Sequence, residues 1–418
     1  MAQLSEDCFA FGGPLMSVAT ALDILARQAV ALPEPEDIAL AEARGRFLAA
    51  DLVAPFDLPP HDNAAVDGYA VCHADLNAES ETVLPVRGRA AAGHPLGRPA
   101  RRGEAIRIFT GAPMPEGADT VMMQEDCIAE GDRVRLRPGL RRGANRRKAG
   151  EDVRRGAVVL AAGTRLRPQD IGLAAALGFA RVPVFRRLRV ALLSTGDELR
   201  EPGAPLPPGA IYDANRRVIA ALLEGLGCAV SDLGILPDRP GAIRDALAAA
   251  AAGHDLVLSS GGMSTGEEDH VKAAIDSLGR LHFWRLAIKP GRPVALGQIG
   301  RVPFIGLPGN PVAVMVTFLV LARPLILRLA GGRPAAPHGF RVSAGFAWTK
   351  KPERREYLRA RIEGDGAGGW IARKFPRDGA GILSSLVESD GLVVLPEELA
   401  RVEPGDAVEF LPFSELLD

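Results

Sequence analysis

Apolar positions recur at helical spacing from Val18 to Ala31, and the run stops short of Pro33-Glu-Pro35, so one helix is predicted near the start of the chain. From about Val83 to Arg137 the pattern changes to short β-like runs divided by Gly and Pro turns. These are Val83–Val86, Ala105–Phe109, Thr120–Met123 and Arg133–Leu136. They read as a β-rich insertion. Short strands and a helix resume between Arg142 and Val184, with Pro168 at the helix start and Gly178 at its end. From Arg189 onward, apolar strands at 190–193, 229–235 and 256–259 alternate with helices at 215–226 and 242–252, which predicts βαβ crossovers and a parallel sheet. Further strands at 294–296 and 304–307 lead into a helix from Val312. A Gly331–Pro337 linker follows, and the period-two run Glu356–Ile362, with Gly391–Leu395 and Asp406–Leu411, predicts a small all-β barrel at the C-terminal end.

At 418 residues the chain is long enough for three or four units at roughly 100–200 residues each. Lys and Arg, at 50, almost cancel Asp and Glu, at 51, so no global charge points to nucleic acid or an anionic membrane, and any charge-driven recognition must be local. Cys8, Cys72, Cys127 and Cys228 are scattered, which suggests neither a disulfide framework nor a zinc knuckle and fits a cytoplasmic protein. No basic n-region with an apolar run opens the sequence, so no signal peptide is expected. Val312–Ala330 is interrupted by Arg323, Pro324 and Arg328, and is expected to be a buried helix rather than a membrane span.

An open α/β sheet places its ligand crevice at the carboxyl ends of its strands, and three strand exits carry unusual residues. The first is Leu192-Leu-Ser-Thr-Gly-Asp-Glu198. The second runs from Leu258 through Gly261, Gly262, Ser264, Thr265, Gly266 and Asp269 to Lys272; its glycines would let backbone approach a phosphate, its hydroxyls would donate, and Asp269 would suit a magnesium ion. The third is Ile305-Gly-Leu-Pro308-Gly309-Asn-Pro311. A lone Gly-Gly is more often tight packing, but three such exits on one sheet favour a site. Asp238 is either a further metal carboxylate or a helix cap before Pro240.

Ala287-Ile-Lys289-Pro-Gly-Arg-Pro293 sets a lysine beside a rigid turn, where it would suit the oxygens of phosphate or another oxyanion unless it is a solvated cation. Arg285, four residues earlier, shares its face only if the chain is extended there. The loops Pro59–Ala70 and Ile108–Asp119 pack acids and a hydroxyl around turn residues, and Arg142–Asp152 is a charged loop or anion-steering rim without the aromatic interleaving of a nucleic-acid patch. The seven histidines show no His-x-x-x-His pair, and no Gly-x-Ser-x-Gly elbow occurs, so zinc hydrolysis and serine acyl transfer are poor fits.

Asp67-Gly-Tyr-Ala70, Thr110-Gly-Ala-Pro113, Gly150-Glu-Asp152, Ser194-Thr-Gly-Asp-Glu198, Tyr212-Asp-x-Asn215, Gly261-Gly-x-Ser-x-Gly-x-x-Asp269, Ile288-Lys-Pro-Gly291 and Leu307-Pro-Gly-Asn-Pro311 occur in that order. Over nearly its whole length the chain thereby resembles the molybdopterin molybdenumtransferases, the family of bacterial MoeA and the gephyrin E domain. The resemblance implies a multi-domain α/β plus β architecture of four domains. These would be a linking domain at 16–55 and 142–184, a β-rich inserted domain at 56–141, an α/β domain similar to molybdopterin adenylyltransferase at 185–332, and a C-terminal β-barrel at 333–418. It also implies a homodimer and a reaction: magnesium- and molybdate-dependent hydrolysis of adenylylated molybdopterin with insertion of molybdenum into its dithiolene.

Carried over by position, Asp67, Thr110, Asp152, Glu198 and Lys289 are expected in catalysis, and Asp238 and Asp269 on the metal. Ser194, Thr195, Gly196, Gly261, Gly262, Ser264, Gly266, Arg285, Pro308, Gly309 and Pro311 are expected against substrate. Expected protein partners are the adenylyltransferase and apo-molybdoenzymes or their chaperones, with no nucleic acid and no membrane. Two departures stand out: Arg285 replaces a frequent second lysine, and Ala64 and Val66 stand in a loop where Ser and Met are usual. The rival readings are a nucleotide-binding enzyme of the adenylyltransferase type, which leaves the Asp67 and Thr110 loops unexplained, and a non-catalytic dimeric scaffold.

Overall fold

The computed structural model describes residues 15–29, 31–261, 270–291, 293–333 and 335–417. Its largest sheet takes the strands in the order Ala229–Leu236, Arg189–Thr195, Leu256–Ser260, Val302–Leu307, Pro293–Ile299, Gly279–Arg285. The first four run parallel, and the last two are added antiparallel. The parallel core is the expected one; the antiparallel extension follows from the tight Gly300-Arg301 turn, too short for a crossover.

Both faces of this sheet are covered. Val190, Leu192, Leu256, Leu258, Ile305 and Leu307 point into one core with Ile219, Leu223 and the helix that starts at Pro311. Ala191, Leu193, Val257 and Phe304 point into another with Ile243, Leu247, Val271 and Ile275. Alternate residues facing opposite cores explain why these strands read as continuous apolar runs. Pro311–Leu329 is long and apolar enough to cross a membrane by length and composition, but most of it is buried against the sheet and its neighbours.

Ser17 caps the first helix by accepting from Thr20 N at 3.1 Å. That helix ends at Gln28, short of the predicted Ala31. Leu32, which precedes a proline, donates its N–H instead to Leu329 O, so tertiary structure claims the backbone there.

Strand Pro35–Ala39 pairs with Arg181–Phe185, closing one small unit from segments on either side of the β-rich stretch. Within that stretch a sheet runs Thr120–Met123, Gly68–Val71, Ala105–Ile108, Thr82–Ala90, Arg133–Leu136, Cys127–Glu130. The C-terminal strands Arg355–Gly364, Trp370–Lys374, Phe340–Ala344, Ala407–Pro412 and Gly391–Leu395 pair in turn, and the last returns to the first, closing a five-stranded barrel. Residues Ile288–Lys289 pair in parallel with Arg355–Glu356, so the barrel and the α/β sheet meet at the predicted lysine.

Candidate functional site at the strand exits

The first strand exit is buried to its end. Ser194 and Thr195 are 0% and 4% exposed, and the Ser194 hydroxyl has no hydrogen-bond partner among the described residues, an unusual condition for a buried polar group. At Gly196 the chain turns with φ 148°, and a Cβ there would lie 2.5 Å from Glu198 Oε2. Glycine therefore lets the Glu198 carboxylate fold back over the strand end. At the second exit Gly261 adopts φ 82°, and a Cβ would stand 2.9 Å from Thr195 O. Its N–H reaches Leu307 O at 3.3 Å, which ties the second exit to the third. Gly262, Ser264, Gly266 and Asp269 lie outside the described residues.

At the third exit Pro308 is buried and Gly309 is exposed. Asn215 Nδ2 donates to Gly309 O at 2.6 Å, and the neighbouring Asp213 caps the Ala214–Gly225 helix. Arg216, 1% exposed, joins Asp213, Asp232 and Glu201 in one ionic cluster beneath that helix start. Asn215 stands in the Tyr212-Asp-x-Asn215 segment, but sequence reasoning gave it no contact. Pro311 sits at the first position of the helix that follows, where its missing N–H costs nothing.

Asp238 follows the edge strand. The helix cap falls at Arg239 with no side-chain bond, so Asp238 is not the cap; its backbone N–H instead contacts Asp197 Oδ1 at 3.5 Å, bringing two carboxylate residues of neighbouring exits together. Asp197 was not singled out from sequence. Among the described residues no group of three His, Cys, Asp or Glu is arranged to hold a metal.

Lys289 Nζ lies 3.3 and 3.4 Å from the two carboxylate oxygens of Glu356, and 5.3 Å from the Trp348 ring centroid. Glu356 is 3% exposed and also accepts from Trp348 Nε1 at 2.9 Å. Gly291, at φ 99°, packs so closely on the helix from Pro311 that a Cβ would come within 2.4 Å of Thr317 Oγ1. The lysine turn is thus seated beside the third exit. Ile288, Lys289, Gly291, Thr349, Lys350, Lys351, Arg354 and Glu356 line a pocket of about 370 Å³. Lys350 is buried and donates to the carbonyls of Lys351, Arg354 and Glu397, and burial depresses its pKa. It shapes the loop that carries Lys351 and Arg354. The charged run Lys350-Lys-Pro-Glu-Arg-Arg355 was the sequence signal for this wall, and it was missed.

Arg285 ends one strand and Lys289 another. A bridge at Leu286 and a bend at Ala287 come between, so the continuous extended run that an even-offset argument requires is interrupted. Asp67 and Thr110 form a pair in the β-rich unit: Asp67 Oδ1 accepts from Thr110 N at 2.7 Å and from Thr110 Oγ1 at 2.8 Å. The backbone N–H of Thr110, then its hydroxyl, hold the Asp67 carboxyl below its ordinary value. Asp152 is exposed, with its N–H bonded to Leu58 O at 3.0 Å. The described side-chain hydrogen bonds of Asp67 and Thr110 link them to each other and not to the strand exits.

Three family models match in sequence order: the MoeA N-terminal region (domain I and II) at 16–178, a "Probable molybdopterin binding domain" at 191–328, and the MoeA C-terminal region (domain IV) at 341–413. A molybdopterin molybdenumtransferase of Haemophilus influenzae is 40% identical over 92% of this chain and 96% of its own length. The chain belongs to the molybdopterin molybdenumtransferase family. A second member, molybdopterin molybdenumtransferase 2 of Mycobacterium tuberculosis, is 36% identical over 90% of this chain and 94% of its own. The crystal structure of a molybdopterin biosynthesis MoeA protein from Pyrococcus horikoshii superposes with a TM-score of 0.83 at 31% identity, covering 95% of this chain and all of that one. Family membership makes the chain a transferase with a role in molybdenum cofactor biosynthesis.

Proposed function

We propose that the chain hydrolyses adenylylated molybdopterin and inserts molybdenum from molybdate into the pterin dithiolene, with magnesium assisting. The observation that carries this reading is the joining of three strand exits at one sheet edge by Gly261, Thr195 and Leu307, with the cationic Lys289 pocket seated beside them. Phosphate oxygens would meet backbone donors and the Ser194 hydroxyl, which has no partner among the described residues, and molybdate would meet Lys289 and Arg354. Glu198 is an exposed carboxylate at the first exit, and Asp152, an exposed carboxylate on a loop of the first half of the chain, would face the site in this reading.

The backbone N–H of Asp238 meets the Asp197 carboxylate, so two acidic residues stand at neighbouring exits, and magnesium prefers one or two carboxylates beside phosphate oxygens. Asp238 with Asp269 would hold the ion, and when bound it would supply positive charge at the phosphoryl group. The reaction balances without redox change. Water's oxygen bonds to the adenylyl phosphorus, and the pyrophosphate P–O bond breaks to release AMP. Molybdenum forms two bonds to the dithiolene sulfurs, and one Mo–O bond breaks as a single oxo ligand leaves as water with the two thiol protons. Catalysis rests on positioning and charge compensation, because the substrates are both anions.

In this reading the active unit is a homodimer, in which Asp67 and Thr110 of one chain serve the strand exits of the other. Its place is the cytoplasm, between the adenylyltransferase and the apo-molybdoenzymes or their chaperones. The test is AMP release from adenylylated molybdopterin with magnesium, with and without molybdate. Molybdate-dependent release supports the proposal. No release under any condition would favour the scaffold reading, and molybdate-independent nucleotide chemistry would favour the adenylyltransferase type.

A further inference from the structure

One face of the β-rich sheet carries a ladder that the reading above does not use. Tyr69 and Arg107 are partners across the antiparallel pair of strands, and Arg107 and Arg89 are partners across the parallel pair beside it. Phe109 follows two residues after Arg107. Arg89 Cζ lies 4.5 Å from the Phe109 ring centroid, Arg107 Cζ 4.6 Å from the same ring, and Arg107 Cζ 5.1 Å from the Tyr69 ring. Two guanidinium groups and two rings therefore stack in one row across three strands.

The two arginines differ in what they do. Arg107 is tied down, with Nη1 donating to Gly68 O at 3.0 Å and Nη2 to Gln124 Oε1 at 2.7 Å. Arg89 is exposed and, among the described residues, its guanidinium makes no hydrogen bond or ion pair; the one described contact of that group is the Phe109 ring. Its guanidinium is thus oriented by stacking while its N–H fork stays open. The ladder adjoins the candidate site, since Phe109 precedes Thr110 and the charge of Arg107 helps to hold Asp67 ionised.

We propose that Arg89, Phe109 and Arg107 form a seat for a planar nitrogen heterocycle that carries a phosphate ester. The ring stacks on the arginine–phenyl ladder, and the phosphate takes the open fork of Arg89. The proposal rests on the function proposed above and deepens it, because the adenylyl half and the pterin half of that substrate both have this chemistry. The Asp67–Thr110 pair then lies beside a held substrate ring rather than at an empty sheet edge.

The test uses the full-length protein and three probes, AMP, neopterin monophosphate and inorganic phosphate, titrated by calorimetry into wild type, Arg89→Ala, Arg89→Lys and Phe109→Leu. Arg89→Ala is expected to weaken AMP or the pterin phosphate roughly tenfold or more, the scale of a lost charge-assisted contact. Arg89→Lys, which keeps charge but loses the flat fork, should fall between, and Phe109→Leu should weaken the same probe. The probe that responds identifies which half of the substrate is seated. Unchanged affinity for both organic probes in Arg89→Ala, no binding of either by wild type, or equal loss for inorganic phosphate would overturn the seat. Thermal unfolding of each variant shows that the fold is retained. AMP release by wild type is scored separately, so intact release with an insensitive Arg89 sinks only the seat, and absent release with a sensitive Arg89 sinks only the proposed reaction.

Discussion

Replacing Lys289 by alanine separates a site cation from a structural ion pair. Its Nζ sits 3.3 Å from Glu356 Oε1, yet its side chain is 53% exposed while Glu356 is 3% exposed. Breaking a fully buried ion pair costs about 3–5 kcal/mol, but an exposed partner is screened by water, and exposed pairs are worth about 0–1 kcal/mol. Trp348 Nε1 still donates to Glu356 at 2.9 Å after the change, so the carboxylate keeps a partner. The expected stability loss is therefore about 1 kcal/mol or less. A charge-assisted hydrogen bond to an oxyanion is worth about 1.5–3 kcal/mol, so the molybdate requirement should rise roughly ten- to hundredfold. The assay is a molybdate titration of AMP release, run beside urea unfolding. Arg285→Ala should raise the requirement less. Wild-type molybdate curves for Lys289→Ala would make the lysine a surface cation. A stability loss of several kcal/mol with an unchanged molybdate midpoint would make the pair structural. Either result refutes the reasoning.

Gly196→Ala places a Cβ 2.5 Å from Glu198 Oε2 in a backbone region that L residues avoid, so it should displace that carboxylate and cut turnover more than tenfold while the unfolding free energy falls by roughly 1–3 kcal/mol; steady-state rates and urea curves check this. Burial alone would raise the Asp255 carboxyl, but hydrogen bonds from Arg186 and Arg189 outweigh it and hold the group well below the usual carboxylate range. The stability it contributes is full above about pH 3.9 and is lost as pH falls through the lower folded value, so the urea-midpoint gap between wild type and Asp255→Asn should narrow below about pH 4; a gap constant from pH 7 to 3 would contradict this. Burial pushes the thiols of Cys127 and Cys228 up to about 12, so at pH 8 iodoacetamide should label them only on unfolding, as peptide mass mapping would reveal. At a molybdate concentration too low to support turnover by Lys289→Ala alone, mixing Asp67→Asn and Lys289→Ala proteins should restore activity in heterodimers, because one of the two shared sites is then intact; a mixture no more active than its parents would count against a shared site.

Much of the fold was legible in the sequence for a physical reason. The strands Arg189–Thr195 and Leu256–Ser260 are buried on both faces and so read as unbroken apolar runs between helices. The exits were legible because Gly196 and Gly261 stand where the backbone must pass another group, a requirement that leaves a residue-type mark. The antiparallel strand Gly279–Arg285 was not placed as a full strand, because its pairing is set by a turn outside its own span. Glu356 was read as one polar position in an alternating strand, yet it is buried; its partners Lys289 and Trp348 lie elsewhere in the chain, and no local pattern reports such a pairing. Asn215 was likewise visible as part of a conspicuous segment, but its bond to Gly309 O exists only once helix and loop are packed. Spacing along one chain also says nothing about what faces Asp67 and Thr110, whose described side-chain bonds stay within their own unit.

The central claim is that AMP release and molybdenum insertion are one coupled act at the strand exits and the adjoining Lys289 pocket. The most direct measurement is the ratio of molybdenum incorporated into the pterin to AMP released in a single turnover, as molybdate is raised from zero. The account predicts no AMP without molybdate, and one molybdenum per AMP at saturation. Full AMP release with no molybdenum present, or AMP in excess of the metal inserted at every molybdate concentration, would contradict it.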